Sequence, residues 1–274
     1  HTPKLHDRQT QVKGSFEQSI RGLLNARKIK GLIVNVDIVI NKINIRYLRQ
    51  IIDFFIVLGV NEFDLLQVMP FGRAWLNRGQ LFYDIEKEIE SLKFAFEVRK
   101  DTPVCLWTNR LPAVYLEGME DLIQHPDKLR DEVFGLKEMF GKFIRFGLKM
   151  PCRGERCYYC CLKGFCEDLI ALRSSGLLAP NLKPFCIDEK RSNDALGRSF
   201  KFSKGMDLFK FLDFYLKKRY FVKSLRCRKC AYNKECQGAH IDLIRKNGFA
   251  LLTPFKAENS LRYPLLRLTL RSEE

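Results

Sequence analysis

Six of the ten cysteines in this chain repeat one spacing. Cys157, Cys160 and Cys166 read C-x2-C-x5-C, and Cys227, Cys230 and Cys236 read the same further on. A C-x2-C pair turns tightly enough to bring two sulfurs to one centre, and the third cysteine closes the loop. A segment built this way takes its local structure from what the sulfurs bind. Disulfides are the other use of cysteine, but a chain of 274 residues does not need them for stability. Tight pairs and the adjacent Cys160–Cys161 fit metal ligation better than spaced crosslinks. The expected setting is therefore reducing and cytoplasmic.

Iron–sulfur clusters take four thiolates each. Cys152, Cys157, Cys160 and Cys166 supply one set. Cys227, Cys230 and Cys236 need a fourth ligand, for which Cys186 is the candidate. Cys161 could replace Cys160, and Cys105, on an apolar strand, reads as a small core residue. Zinc is the alternative. His240 falls four residues after Cys236, so Cys227, Cys230, Cys236 and His240 also compose a Cys3His set. In that case the chain reads as a zinc-binding module for nucleic acid. The corresponding position of the first array is Ile170, which has no ligating atom.

The charge is uneven. Residues 1–140 carry 20 Lys+Arg against 19 Asp+Glu, and residues 141–274 carry 28 against 13. The basic half is the cysteine half. An acidic partner such as nucleic acid explains this, and so does the offsetting of thiolates and reduced clusters. Aromatics mixed with Lys/Arg over Phe209–Arg226 suit base stacking, or equally a helix with its rings in the core. No apolar run approaches the roughly 18 uncharged residues of a membrane span, so no membrane partner is expected. The chain opens on His1 rather than Met, as a fragment, a processed chain or a trimmed one would.

The first hundred residues alternate helix and strand. Ser15 and Gln18 form a capping-box pattern, followed by apolar residues at Phe16, Ile20, Leu23 and Leu24 and a stop at Gly31. Leu32–Ile40 is short and β-branched, the signature of a strand buried on both faces. Asn44 is placed to cap a helix striped by Leu48, Ile51, Ile52, Phe55 and Leu58. Phe63–Val68 is a second strand, Asp84–Arg99 a helix, and Val104–Trp107 a third strand. This order predicts parallel strands with crossover helices. Residues 109–149 read as a helical connection and 150–274 as a small cysteine-rich, irregular α+β domain, with one helix from Leu208 to Val222 striped by Phe209, Leu212, Leu216 and Tyr220.

Lys13-Gly14-Ser15-Phe16, Val34 to Lys42 with Asn44, Leu58-Gly59-Val60 and Val68-Met69-Pro70-Phe71-Gly72-Arg73-Ala74 together resemble the later part of a radical S-adenosylmethionine (radical SAM) barrel. His1-Thr2-Pro3 with His6-Asp7 resembles the segment after that barrel's third strand. The cysteine arrays are similar to the SPASM or twitch extensions of such enzymes. The resemblance covers residues 1–108 as a partial (β/α) barrel and rests on cysteine spacing from Met150 to Gly238. It implies two auxiliary [4Fe–4S] clusters on Cys152, Cys157, Cys160, Cys166, Cys186, Cys227, Cys230 and Cys236. It also implies S-adenosylmethionine as the cofactor of the intact parent, an oxidoreductase that generates a 5′-deoxyadenosyl radical. The implied partners are a peptide substrate and an electron donor such as a flavodoxin or ferredoxin. The family's C-x3-C-x2-C motif is absent from these residues, so the resemblance places it upstream of His1, and this portion would not cleave SAM by itself.

Three positions are candidates for cofactor binding. Asn35 and Asp37 alternate with Asn41 on one side of the first strand, and the resemblance places Asp37 near the SAM ribose. Arg73 follows the second strand at the carboxyl edge, where α/β barrels bind ligands, and could meet a carboxylate or phosphate. His6-Asp7 and Trp107–Arg110 are further polar positions. No Gly-rich phosphate loop, serine triad or H-E-x-x-H site is present.

Overall fold

Alternating side chains decide the first strand, β1 (Asn35–Ile40). Ile38 and Ile40 are buried while Asn35, Asp37 and Val39 are exposed. Expected to be buried on both faces, β1 is buried on one. The computed structural model describes residues 1–181, 184, 186–187 and 199–256. Two compact units emerge, His1–Phe143 with Gly147–Gly164, and Ile144–Phe146 with the chain from Phe165 onward. The expected boundary at residue 149 thus lies inside the first unit.

The first unit opens with α1 (Pro3–Thr10) and α2 (Ser15–Arg27). Ser15 does not cap α2. Gly14 is the capping residue, and the Asp7 carboxylate accepts from Gly14 N at 2.6 Å, Phe16 N at 2.9 Å and Ser15 Oγ at 3.0 Å. Those donors, Phe16 N–H first, hold the Asp7 carboxyl below its usual range. A carboxylate folded back from the preceding helix thus anchors the start of α2, through the N–H groups on either side of Ser15.

After β1 come α3 (Leu48–Val57), β2 (Glu62–Gln67), α4 (Gly72–Leu76), α5 (Arg78–Leu81), α6 (Ile89–Phe96), α7 (Val98–Asp101) and β3 (Cys105–Asn109). The strands pair in parallel in the order β1-β2-β3, as expected from the helix–strand alternation. The sheet does not close into a barrel among the described residues. Phe63, Leu65, Leu106 and Thr108 continue the buried face that Ile38 and Ile40 begin. Gln67 at the end of β2 is buried there too, accepting from the Tyr83 hydroxyl at 2.5 Å. Asn41 lies past the strand rather than on it. Its amide accepts from Ile43 N, and its N–H donates to the Asn44 side chain. Asn44 closes this turn and makes no helix cap. The unit continues through three short 3-10 turns into α8 (Leu129–Gly135) and α9 (Lys137–Phe146).

The second unit holds α10 (Lys163–Ser175), the two-residue strands β4 (Leu177–Leu178) and β5 (Phe200–Lys201), and α11 (Leu208–Lys218). Two further short strands, β6 (Phe221–Val222) and β7 (Ala239–His240), precede α12 (Ile241–Asn247). Both strand pairs are antiparallel. Its core is aromatic: Phe165 packs on Phe211 and Tyr215, both at 5.4 Å between centroids. The α11 stripe is Leu208, Phe211, Leu212, Tyr215 and Leu216. Phe209 faces outward, and the expected helix ends four residues early, giving way to β6. Arg219 grips Asp168 through two 2.8 Å hydrogen bonds. No helix among the described residues is long and apolar enough to cross a membrane.

Candidate metal centre

The C-x2-C part of the repeated spacing is a repeated turn, while the third cysteines differ, Cys166 on a helix and Cys236 in a loop. Cys157 lies in a 3-10 turn, Glu155–Tyr159, and Cys227 in another, Leu225–Lys229. Cys157 N donates to Gly154 O and Cys227 N to Ser224 O, each at 3.0 Å. Cys160 N then donates to Cys157 O and Cys230 N to Cys227 O. Cys160 and Cys230 end their turns in extended conformation. Two sequences that share little but cysteine thus reach the same backbone path.

In the first unit, burial pushes the Cys152 thiol up, and the nearby Cys160 and Cys157 sulfurs push it further. Three thiols therefore share one electrostatic neighbourhood. Cys152 Sγ stands 3.7 Å from Met139 Sδ. Cys161 lies against Cys160. Its thiol donates to the Cys160 sulfur, lowering Cys160 and raising Cys161. Cys166 lies in the second unit, buried on α10.

In the second unit, burial raises Cys186, with Cys236 and Cys227 adding to it. Cys227 is raised by burial and by Cys230 and Cys236. Cys186, Cys227, Cys230 and Cys236 are therefore electrostatic neighbours. The segment between Lys223 and Gly238 is a loop closed by the β6–β7 pair. Lys223 Nζ staples it through Asn233 O at 2.6 Å. Gly238 has φ +90° and crosses so close to β6 that a Cβ would strike the Val222 carbonyl. Its N–H donates to Cys236 Sγ at 3.3 Å.

His240 does not join this set. Its Nε2 meets Leu216 O at 2.8 Å, and a carbonyl only accepts, so Nε2 carries the proton. Nδ1 then accepts from Asp242 N at 3.3 Å and caps α12. Both ring nitrogens are engaged, so the Cys3His set is not assembled. Burial holds the imidazole below its ordinary value of 6.5. A base whose folded pKa is depressed contributes fully above the unfolded value and loses that contribution as pH falls below it. The second unit is expected to melt at lower temperature at pH 5.5 than at pH 7.5, and His240→Gln to flatten that slope; circular dichroism at both pH values checks it.

None of the ten cysteines is disulfide-bonded. As the side chains stand, no three His, Cys, Asp or Glu groups among the described residues converge to hold one ion. The chemistry of the donors is nonetheless one-sided. Thiols predominate in each neighbourhood, with the Glu132 carboxylate also near Cys160 and Cys161, and clustered thiols suit a thiophilic centre.

The first array is also clamped by residues with no signature in the sequence. Trp75 on α4 is 8% exposed. Arg78 and Arg156 stand over its ring at 5.0 and 5.1 Å. Tyr159 packs on Phe82 at 4.7 Å, and Phe82 on Trp75 at 5.7 Å. Arg156 and Tyr159 flank Cys157, so this lattice fixes the cysteine turn to the segment following β2.

The open face of the sheet gathers some of the polar candidates. Asp37, Asp64 and Trp107 lie in register across β1, β2 and β3, as do Asn35, Glu62 and Cys105. Asn35 Nδ2 donates to Asp37 Oδ1. Asp64 Oδ1 is buried without a hydrogen-bond partner among the described residues. Burial pushes the Asp64 carboxyl up, and the charge of Asp37 adds to this. Asn109 is held by Gln124 at 2.9 Å. Cys105 is exposed on this face and not in the core. Arg73 is exposed at the start of α4, beyond the carboxyl end of β2, whereas Asn35 pairs at its amino end. Of the three positions expected to bind one cofactor, Arg73 is thus set apart from Asn35 and Asp37. Comparison with protein-family models, curated proteins and solved structures finds no match to this chain.

Proposed function

We propose that this chain is the later portion of a radical SAM oxidoreductase, a partial barrel followed by a cysteine-rich extension that holds two [4Fe–4S] clusters. The observation that carries the reading is the repeated turn around Cys157–Cys160 and Cys227–Cys230, each with further thiols beside it. Cys186, Cys227, Cys230 and Cys236 would hold one cluster. Cys152, Cys157 and Cys160 of the first unit would hold the other, whereas Cys166, expected from the sequence as their fourth ligand, falls in the second unit. Bound clusters of this kind relay single electrons or ligate substrate. The N–H of Gly238 and the thiol of Cys161 would donate to ligating sulfurs and so tune them.

The open sheet supports the barrel half of the reading. A parallel sheet in an α/β protein is covered on both faces, yet this one leaves Asp37, Trp107 and Cys105 exposed on one side. In a completed barrel that side would be the interior. Asn35 and Asp37 would there offer polar groups that suit ribose hydroxyls. A peptide is the substrate class, and the cytoplasm the compartment, that this reading entails.

Anaerobic purification with iron, sulfide and zinc analysis of one sample tests the proposal. About eight iron and eight sulfide per chain are expected for two four-iron clusters. One or two zinc ions without sulfide would sink it.

A further inference from the structure

We infer that a groove on the first unit, formed by the end of α8, the first turns of α9 and the segment after Gly147, docks an acidic segment of a protein partner. The groove encloses about 440 Å³ and is lined by Leu136, Met139 and Leu148, with Lys137, Lys142 and Lys149 around it. Ligand pockets run from about 300 to 1,000 Å³, so this one accommodates one or two side chains.

Two features make the surface more than scattered exposure. Leu148 is 55% exposed and Phe134 57%. Single exposed apolar residues are ordinary, but these two line the same concavity. The charge is one-sided as well, three lysines against Glu138. All three lysines are exposed. Cationic rims select anionic partners and speed their encounter. The occupant that matches both features is a peptide segment carrying a bulky apolar side chain between carboxylates. The apolar side chain enters between Leu136, Met139 and Leu148, and the carboxylates meet the lysines. Leu136 and Met139, half-buried in the concavity, suit an inserted side chain, whereas a lipid surface takes up an apolar face laid against it.

The groove also touches the first cysteine set. Met139, one of its walls, is the residue whose Sδ lies 3.7 Å from Cys152 Sγ. A partner seated there presses on the candidate metal ligands. The docking itself does not depend on which metal they hold.

Fluorescence anisotropy of the full chain with a short labelled peptide, Phe-centred and flanked by Asp and Glu, tests this. Saturable binding is expected, weakened by salt and at least about ten-fold weaker when the flanks are lysine or the centre alanine. Lys142→Glu with Lys149→Glu should abolish it, Leu148→Ser should weaken it, and Lys4→Glu on α1 should not change it. Circular dichroism confirms that each variant is folded; should Leu148→Ser unfold, the exposed lysine pair still decides. Equal affinity for the lysine-flanked peptide, or binding unaffected by the lysine pair, overturns the inference. So does a groove-dependent preference for phosphatidylglycerol vesicles, an RNA oligonucleotide or a second copy of the chain, each of which assigns the groove to another occupant.

Discussion

Changing Cys227 and Cys230 together to serine is expected to take anaerobically reconstituted protein from about eight iron atoms per chain to about four. Serine preserves the turn, because the bonds from Cys227 N to Ser224 O and from Cys230 N to Cys227 O involve only backbone. What it removes is two soft thiolates, replaced by hydroxyls that a cluster holds poorly. Sulfide should fall in step with iron. The first array should keep its content, because its neighbours are Cys152, Cys157 and Cys160. Metal binding is coupled to folding wherever the site is not otherwise stiff. The second unit's loop, closed by two-residue strands, should therefore melt earlier in the variant. Iron unchanged at about eight would mean that Cys227 and Cys230 ligate nothing. Loss of all iron would mean that the arrays form one interdependent centre.

Trp75→Ala is the second large effect. Deleting a buried Trp side chain costs about 3–5 kcal/mol through lost transfer energy and the cavity left behind. Two guanidinium groups over the ring would lose cation–π contacts of about 0.5–1 kcal/mol each. The loss spreads to the cysteines, because Arg156 and Tyr159 belong to the turn that carries Cys157. Urea denaturation should show the drop in stability, and iron analysis a deficit confined to the first array. Trp75→Phe, which keeps an aromatic surface for Phe82, should retain most of both. A loss under about 0.5 kcal/mol, the range of an ordinary surface change, would show that the lattice around Trp75 anchors nothing.

The polar cap and the two histidine nitrogens show why some of the molecule was hidden in the sequence. Ser15 and Gln18 match a capping box by spacing, but the helix starts at Ser15, whose hydroxyl donates to Asp7, and the charged Asp7 carboxylate takes the Gly14 and Phe16 N–H groups from α1. Charge-assisted hydrogen bonds of this kind are the strong ones, and nothing in a local window announces them. His240 matches a ligand spacing, yet β7 delivers it to the Leu216 carbonyl, where its protonated nitrogen is spent. Phe209 and Phe211 are both apolar, and only the packing of Phe165 against α11 decided which one faces inward.

Local chemistry was legible wherever it was sufficient. The helix–strand order, the three parallel strands and the paired cysteine turns follow from side-chain alternation, β-branching and short-range backbone bonding. These are properties of a few neighbouring residues. The tertiary structure alone decided that one side of the sheet stays open, that Cys105 lies on that side, and that Trp75 clamps the first array. It also set Cys186 beside Cys227 and Cys236. Burial and electrostatic neighbourhood are sums over residues far apart in the chain, so spacing alone does not encode them.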